Sequence, residues 1–238
     1  YTTPSADVYQ LNQQLGNLWA EYNTLPYPVG FWPLGSTFDH SGNGLTLTNT
    51  GTVTFPYSTN YIAYALTGSS KYLSRTDTAV LDITGGLYII GWFKPTSGPA
   101  AAPLVCKWGT TTTSGGYLLD IIESGGSYYP RFIVENSSGT NSQVTSTVAV
   151  STSYWSFIAC VFSPSISMKI FHNGTWTSNT TSIVADIRNN AIDLQIGART
   201  ATSAYFTGAS TLVALGASGA TNTDKIERMY LAGKILLP

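Results

Sequence analysis

The sequence predicts an all-β protein, an antiparallel two-sheet sandwich with a short N-terminal helix. From residue 45 onward, short segments rich in apolar and β-branched residues are separated by clusters of turn residues, as is typical of sandwiches. Near the N-terminus, apolar residues instead recur at alternating spacings of three and four, which is the period of a helix. The length of 238 residues allows one large β domain or two small ones.

The predicted helix covers residues 5–25, and Pro26 and Pro28 end it. Its apolar stripe consists of Val8, Leu11, Leu15, Leu18, Tyr22 and Leu25. This spacing is typical of a coiled-coil seam. A helix of this length is marginal in water, and Gly16 costs about 1 kcal/mol more. The stripe must therefore be buried against another surface.

Two partners could bury this stripe: the sandwich of the same chain, or matching helices of neighbouring subunits. We expect the second, because the two prolines form a stiff joint that projects the helix away from the sandwich. A low surface charge also leaves little repulsion between packed copies. On this interpretation residues 1–28 are a helical arm that mediates homo-oligomeric assembly, and residues 29–238 are the sandwich.

Predicted strands follow the arm at 45–47, 53–55, 61–65, 87–93, 104–107, 117–122, 131–134, 144–150, 154–162, 167–172, 192–197, 211–215 and 234–237. Residues 154–162 are mainly apolar at both odd- and even-numbered positions, which indicates a central strand with two buried faces. Residues 192–196 alternate between apolar and polar, as a strand with one wet face does.

Two local signals stand out between the strands. Asn173-Gly174 is the dipeptide that a type I′ hairpin turn prefers, because both central residues need positive φ. A second helix is predicted at 224–230, where Asp224 and Glu227 have the spacing of a capping box.

Charged residues make up only 10% of the chain, against about 25% in ordinary globular domains. The net charge of -1 excludes the basic face that nucleic-acid binding needs. The longest apolar runs, 87–93 and 157–162, fall far short of the roughly 20 residues that span a bilayer, so we expect no membrane insertion. Hydroxyls and amides supply the polar surface, which favours an extracellular or virion-exposed protein. Six Trp, fifteen Tyr and nine Phe argue against disorder.

Cys106 and Cys160 lie inside apolar runs, which predicts small buried side chains, with a disulfide as the alternative. Two cysteines are too few for a disulfide framework or a four-ligand zinc site. His40 and His172 lie in or beside turns, where solvated or capping side chains are expected.

Several motifs occur in an order that is found in a known family. They are Phe31-Trp32-Pro33-Leu34, Asp39-His40-Ser41-Gly42-Asn43-Gly44, Gly91-Trp92-Phe93-Lys94-Pro95, Leu104-Val105-Cys106-Lys107, Tyr154-Trp155-Ser156-Phe157, Lys169-Ile170-Phe171-His172-Asn173-Gly174, Leu194-Gln195-Ile196-Gly197 and Phe206-Thr207-Gly208. Across most of residues 31–237 the chain resembles the laminin G-like, concanavalin A-like jelly roll of many lectins. The resemblance implies a jelly-roll sandwich with a binding or adhesion role and no catalysis in most relatives.

Glycan-hydrolysing members of this fold cluster their carboxylates on one strand, because acid, base and nucleophile must flank one bond. The glutamates here are isolated from one another: Glu21, Glu123, Glu135 and Glu227. Asp120 and Glu123 are three residues apart on a predicted strand and therefore point to opposite faces. We predict that the protein is not an enzyme.

Asp39, Ser41 and Asn43, followed by Gly44, resemble the start of a calcium loop, in which alternate side-chain oxygens converge on the ion. The same residues also form an ordinary Asx turn, and Thr50 stands where such a loop has its bidentate Glu. Calcium held by Asp39 and Asn43 is one of these two interpretations, and no other cofactor is expected.

A glycan site needs an aromatic platform beside hydrogen-bonding side chains, since a pyranose has an apolar face and polar edges. Trp108 is the first candidate, because it opens a loop that is too polar to be core. Trp176 and Tyr128 are the further candidates. The tryptophans in apolar strands are assigned to the core: Trp32, Trp92 and Trp155.

Two functions fit this sequence. The first is a non-enzymatic surface module that assembles with other subunits, either on a virion as a decoration or fibre protein or in an extracellular layer. The low charge, the hydroxyl-rich surface and the helix ahead of the sandwich motivate it. The alternative is a secreted, lectin-like module that binds carbohydrate, and a saccharide-specific signal from the purified protein would distinguish the two.

Overall fold

The strands form two antiparallel sheets that pack face to face, which confirms the predicted antiparallel jelly-roll sandwich. The computed structural model describes residues 6–58, 62–96, 102–109, 115–199, 202, 204–219 and 223–237, with side chains from residue 13 onward. Neither helix in these ranges has the length and apolarity to cross a membrane.

The elements follow one another along the chain in this order: α1 Ala6–Asn23, β1 Pro28–Trp32, β2 Thr48–Thr50, β3 Ala65–Thr67, β4 Tyr72–Arg75, a 3-10 turn Ala79–Leu81, β5 Leu87–Pro95, β6 Ala102–Trp108, β7 Gly115–Ser124, β8 Ser127–Glu135, β9 Asn141–Thr145, β10 Ser156–Ser163, β11 Ser167–His172, β12 Thr175–Asn179, β13 Leu194–Ile196, β14 Ala198–Arg199, β15 Ala204–Tyr205, β16 Gly208–Gly216 and α2 Thr223–Gly233.

Sheet A has the strand order β1-β16-β5-β10-β11-β12, and β3 also pairs with β16. Sheet B has the order β2-β4-β13-β6-β7-β8-β9, and β14 pairs separately with β15. Strand β10 lies between β5 and β11, which confirms the central position predicted for residues 154–162.

The hairpin between β11 and β12 has the predicted turn. Asn173 and Gly174 have φ of 46° and 97°, as a type I′ turn requires. The strand predicted at 234–237 is wrong, because α2 runs to Gly233 and the N–H groups of Leu236 and Leu237 then bond to the Gly233 carbonyl. Both leucines are buried, so this apolar run reflects packing of the helix end and not extended backbone.

Five other predicted strands differ from the structure. Among the described residues of 61–65 only Ala65 lies in a named strand, and β9 ends at Thr145, well before the predicted end at residue 150. Residues 45–47 are not a strand, because the Leu45 N–H bonds to the Asp39 carboxylate and β2 begins only at Thr48. Residues 53–55 contribute an isolated bridge from Thr54. The wet face predicted at 192–196 is wrong at Gln195, which is buried because β13 lies between β4 and β6.

One large apolar cluster fills the space between the sheets. Its members include Trp32, Leu73, Leu87, Ile89, Phe93, Leu119, Ile121, Phe132, Ile158, Phe162, Met168, Ile196 and Val213. Cys106 and Cys160 are both buried and free, which confirms the prediction that they act as small apolar side chains.

Sheet A is also apolar on its outer face. Along β5, Leu87 and Ile89 face sheet B, whereas Tyr88 and Ile90 face outward, and β10 alternates in the same way. The outward side chains form a second cluster with Leu18 and Tyr22 of α1, with Ile226 and Met229 of α2, and with Leu25, which follows α1. The two helices therefore cover the outer face of sheet A.

The prediction of a projecting helical arm is wrong for the described part of α1. Leu18, Tyr22 and Leu25 are buried against the sandwich of their own chain, so they do not form a seam between subunits. Leu15 is partly buried in the same cluster. The side chains of Val8 and Leu11 lie outside the described residues, and an oligomerisation role for them stays a prediction.

The segment after α1 is anchored to the sandwich. The Tyr88 hydroxyl donates to the Pro26 carbonyl at 3.0 Å, and the Ala217 N–H donates to the Tyr27 carbonyl at 3.1 Å. These bonds direct the chain straight into β1, so the prolines end the helix without turning it away from the sheet.

His172 ends β11 and is fully buried, so the expected solvated side chain is wrong at this position. The residue faces the space between the sheets, and its Nδ1 lies 3.0 Å from the Val148 carbonyl and 3.3 Å from the Ser146 hydroxyl. Burial lowers the pKa of the ring to about 4, from an ordinary value of 6.5. The imidazole is therefore neutral at pH 7.

Acid is expected to destabilise the fold through His172. Between pH 6.5 and 4 the unfolded chain binds a proton that the folded chain excludes, so the free energy of unfolding falls as the pH is lowered, by up to about 3 kcal/mol. Urea unfolding at about pH 7 and about pH 4.5 measures this change. His172→Asn should flatten the dependence and the control His40→Asn, at an exposed ring, should not. An equally steep dependence in His172→Asn would contradict the prediction.

Leu18→Ala should destabilise the protein by about 2–5 kcal/mol, because the side chain is 1% exposed and fills the contact between α1 and sheet A. Leu231→Ala is the matched control on α2, where the side chain is 52% exposed and the expected change is below about 0.5 kcal/mol. Urea unfolding measures both. Equal values for the two variants would show that α1 does not support the sheet.

Candidate functional site

Trp108 lies at the end of β6 on the outer face of sheet B and is only 5% exposed. The Arg199 guanidinium lies over its ring, 6.0 Å from the centroid. A Cβ on Gly115 would lie 2.4 Å from the ring, so the indole rests directly on that glycine. Its apolar neighbours are Cys106, Leu118 and Ile133. The expectation of an exposed platform at Trp108 is therefore wrong, because neighbouring strands bury the ring.

Trp176 and Tyr128 also pack within the fold. The Trp176 ring lies 5.0 Å from that of Phe171, and its Nε1 donates to Glu227 at 2.9 Å, which ties β12 to α2. Tyr128 is partly buried against the cluster between the sheets. The three aromatic candidates lie on different surfaces of the sandwich, so the structure does not bring them together into one site.

The Asp39 carboxylate is fully occupied by hydrogen bonds. Its Oδ1 accepts from the backbone N–H groups of Phe31 at 3.0 Å and Ser41 at 2.8 Å. Its Oδ2 accepts from the Ser41 hydroxyl at 2.8 Å and from the Leu45 N–H at 2.9 Å. These four donors use the lone pairs that a calcium ion would need.

Asn43 serves the same turn. Its Nδ2 donates to the carbonyls of Pro28 at 2.9 Å and Val29 at 3.0 Å, so the side chain ties the turn to β1. These hydrogen bonds are those of the Asx-turn alternative, which describes both residues, and calcium binding at Asp39 and Asn43 stays a prediction.

The described residues contain no group of three or more His, Cys, Asp or Glu side chains placed to hold a metal. Near the end of β6 a buried ammonium fills an oxygen-rich environment instead. Lys107 Nζ lies 2.7 Å from Asp77 Oδ1 and 3.6 Å from Asp82 Oδ1, and it also bonds to Asn190. These carboxylates are neutralised by a cation that belongs to the chain itself.

An open cleft of about 320 Å³ lies on the outer face of sheet A. We call it the aromatic cleft, and it is lined by Ser58, Tyr64, Leu66, Lys94, Thr96, Trp155 and Ala209. The described side chains of α1 and α2 do not line it, so the cleft lies beside the part of the apolar face that they cover.

The pairing of β16 with β3 and β5 determines which side chains form the floor of the aromatic cleft. Ala209 on β16 pairs with Leu66 on β3 and with Lys94 on β5, so the three side chains lie in one row on the outer face. Ala209 is the smallest of the three and leaves a depression in the middle. Trp155 and Tyr64 form an aromatic wall, with ring centroids 5.6 Å apart and planes at 75°.

Polar groups line the rim of the aromatic cleft. The Thr96 hydroxyl donates to the Thr207 carbonyl at 3.2 Å, and the Ser58 hydroxyl accepts from the Ile62 N–H at 3.0 Å. Lys94 is partly buried and has no ion-pair partner in the described part of the chain. The cleft thus combines aromatic faces, two hydroxyls and one positive charge.

Sequence reasoning missed this site. The apolar neighbours of Trp155 predict a core residue, and the side chain is only 8% exposed, but its remaining surface lines the aromatic cleft. The four segments that contribute Tyr64, Lys94, Trp155 and Ala209 are distant in sequence, and only the strand order β3-β16-β5-β10 brings them together.

Three acidic side chains form ion pairs with arginines of the fold. Asp120 binds Arg131 at 2.6 Å, Glu135 binds Arg188 at 2.8 Å, and Glu21 binds Arg228 at 2.6 Å. The described residues that line the aromatic cleft include no carboxylate.

Solved structures similar to this one come from toxins and from a polysaccharide-degrading enzyme. The binding domain of Paraclostridial Mosquitocidal Protein 1 has a TM-score of 0.68 and 13% identity, over 86% of this chain and 52% of that one. A botulinum neurotoxin type C structure, a toxin whose cell entry depends on interaction with two ganglioside molecules, has a TM-score of 0.64 and 12% identity, over 90% and 53%. This chain spans about half the length of those toxin chains.

Domain 4 of AbnA, a GH43 extracellular arabinanase from Geobacillus stearothermophilus, was solved in complex with arabinotriose. It has a TM-score of 0.66 and 14% identity, over 86% of this chain and 98% of that one. At these identities the likenesses show the fold alone.

No curated protein matches the sequence. A family profile, Laminin_G_3, described as the concanavalin A-like lectin/glucanases superfamily, matches residues 67–215. This match covers more than half of the chain, and the chain therefore belongs to the concanavalin A-like lectin/glucanase superfamily.

Proposed function

We propose that this protein is a non-enzymatic, extracellular carbohydrate-binding module that holds a saccharide in the aromatic cleft. The observation that carries the proposal is the juxtaposition of Trp155 and Tyr64 with Lys94 and two hydroxyls around an open depression. The C–H face of a pyranose or furanose packs on an aromatic ring, and its hydroxyls bond to the polar rim.

The small volume of the cleft limits how many sugar units it can hold. A volume of about 320 Å³ lies at the low end for ligand pockets, so the cleft suits one or two sugar units of a longer glycan. Lys94 favours a glycan with a hydroxyl-rich or negatively charged edge, because its ammonium offers three donors and no acceptor.

The comparisons support this proposal through the proteins that share the fold. One of them was solved with a bound arabinose oligosaccharide, and that domain matches this chain over almost its whole length. The absence of catalysis is part of the proposal, and it is supported by the structural pairing of Asp120, Glu135 and Glu21.

Assembly with other subunits, on a virion or in an extracellular layer, stays a prediction that rests on composition. The four described side chains of the apolar stripe pack within the chain, so assembly loses its main structural support. A decoration or fibre protein that also binds a glycan would combine both functions.

A glycan array followed by calorimetric titration of the best saccharide tests the proposal. Trp155→Ala should weaken binding by about tenfold or more, because the variant removes the aromatic wall, whereas Tyr154→Ala should leave it unchanged. Tyr154 is the matched control, since it is the adjacent residue in sequence, is 65% exposed and does not line the cleft.

Ala209→Met provides a second test that leaves the aromatic rings in place. The longer side chain fills the depression from its floor and should abolish binding without lowering the melting temperature. Full binding by both Trp155→Ala and Ala209→Met, or an array with no saccharide signal, would refute a glycan site in the aromatic cleft.

A further inference from the structure

A second cavity, of about 310 Å³, lies on the outer face of sheet B, on the opposite side of the sandwich from the aromatic cleft. We call it the arginine pocket. Its lining includes Leu118, Asp120, Arg131, Arg199 and Ala204. Alternation along β7 explains the location, because Leu119 and Ile121 face the core, and Leu118 and Asp120 therefore face outward.

Asp120 and Arg131 are cross-strand partners in β7 and β8, and they form a two-pronged ion pair. Arg131 Nε lies 3.1 Å from Asp120 Oδ1, and Arg131 Nη2 lies 2.6 Å from Oδ2. The Asp120 side chain is only 6% exposed, so the carboxylate depends on this pairing. One positive and one negative charge in the pocket thus cancel.

Unlike Arg131, Arg199 is held by a backbone carbonyl and an aromatic ring. Its Nε and Nη2 both donate to the Gly109 carbonyl, at 3.0 and 2.7 Å, and its guanidinium lies over the Trp108 ring. These contacts fix the position of the side chain without neutralising its charge. Within the described ranges no carboxylate forms an ion pair with Arg199. The arginine pocket therefore carries a net charge of about +1 on a preorganised guanidinium.

We propose that the arginine pocket binds a small ligand through a carboxylate, with Arg199 as the principal anchor. A guanidinium matches the planar geometry of a carboxylate, and one that is already oriented loses little conformational entropy on binding. Leu118 and Ala204 supply apolar surface for the carbon skeleton. The ligand is either a uronic acid unit of an acidic glycan or a free organic acid.

Calorimetric titration of the full chain with glucuronate, glucose and propionate tests this site. Glucuronate should bind, with an affinity that falls as salt is added, and glucose should bind at least about tenfold more weakly. If propionate binds as well as glucuronate, the natural ligand is a free organic acid; if it binds about tenfold more weakly, the ligand is a sugar acid. Equal binding of glucuronate and glucose would overturn the proposal.

Substitutions of Arg199 test whether its charge and its forked geometry are needed for glucuronate binding. Arg199→Gln should weaken glucuronate binding by about tenfold or more, and Arg199→Lys, which keeps the charge without the fork, should fall between that variant and the wild type. Arg228→Gln is the matched control, because that arginine lies on α2, is 55% exposed and does not line the pocket. Unchanged glucuronate affinity in Arg199→Gln would overturn the proposal.

Asp120→Asn should increase the affinity for glucuronate, and a misfolded protein would not show such an increase. The amide oxygen can still accept from Arg131, and the net charge of the pocket rises to about +2. Glucuronate should then bind about threefold or more tightly and glucose should not change; no gain would count against the proposal. Trp155→Ala should leave glucuronate binding intact, so failure of this site and failure of the aromatic cleft are distinguishable.

Discussion

In β5 and β10, successive side chains alternate between two apolar layers, so sheet A must be covered on both faces. Sheet B covers the inner face. The outer face would expose Tyr88, Ile90 and Phe157 to water unless other elements packed on it, and burial of apolar surface contributes roughly 25 cal/mol per Å². The two helices provide that cover, and the Tyr88 bond to Pro26 keeps the segment after α1 on the same sheet.

The position of the aromatic cleft follows from the same constraint. The helices pack over one part of sheet A and leave the row of Leu66, Ala209 and Lys94 uncovered. Trp155 and Tyr64 belong to or pack against the same outer cluster that the helices bury elsewhere, yet here part of their surface reaches solvent. A partly uncovered apolar surface that is bordered by polar groups is a typical feature of ligand-binding sites.

The sequence predicted the sandwich, the central strand and the Asn173-Gly174 hairpin, because these depend on local alternation and on backbone conformation. The same sequence explains why α1 packs on its own chain. Both faces of the predicted strand 154–162 are apolar, so the face that sheet B does not cover needs another apolar surface, and the stripe of the helix supplies it. The site could not be predicted in this way. Trp108 occurs beside polar loop residues and is buried, whereas Trp155 occurs among apolar residues and lines the cleft, because strand order decides which rings meet an opening.

The few charged residues of this protein fall into two groups, those that form ion pairs within the fold and those that line a cavity without one. With 10% charged residues, many of the described acids are committed to structure: Asp77 and Asp82 to Lys107, Asp120 to Arg131, Glu135 to Arg188 and Glu21 to Arg228. Lys94 and Arg199 differ, because each lines a cavity and neither forms an ion pair with a described carboxylate. A cation beside an opening that forms no ion pair within its own chain keeps most of its electrostatic attraction for a ligand. Each face of the sandwich thus presents one such cation, beside aromatic rings on sheet A and within a polar pocket on sheet B.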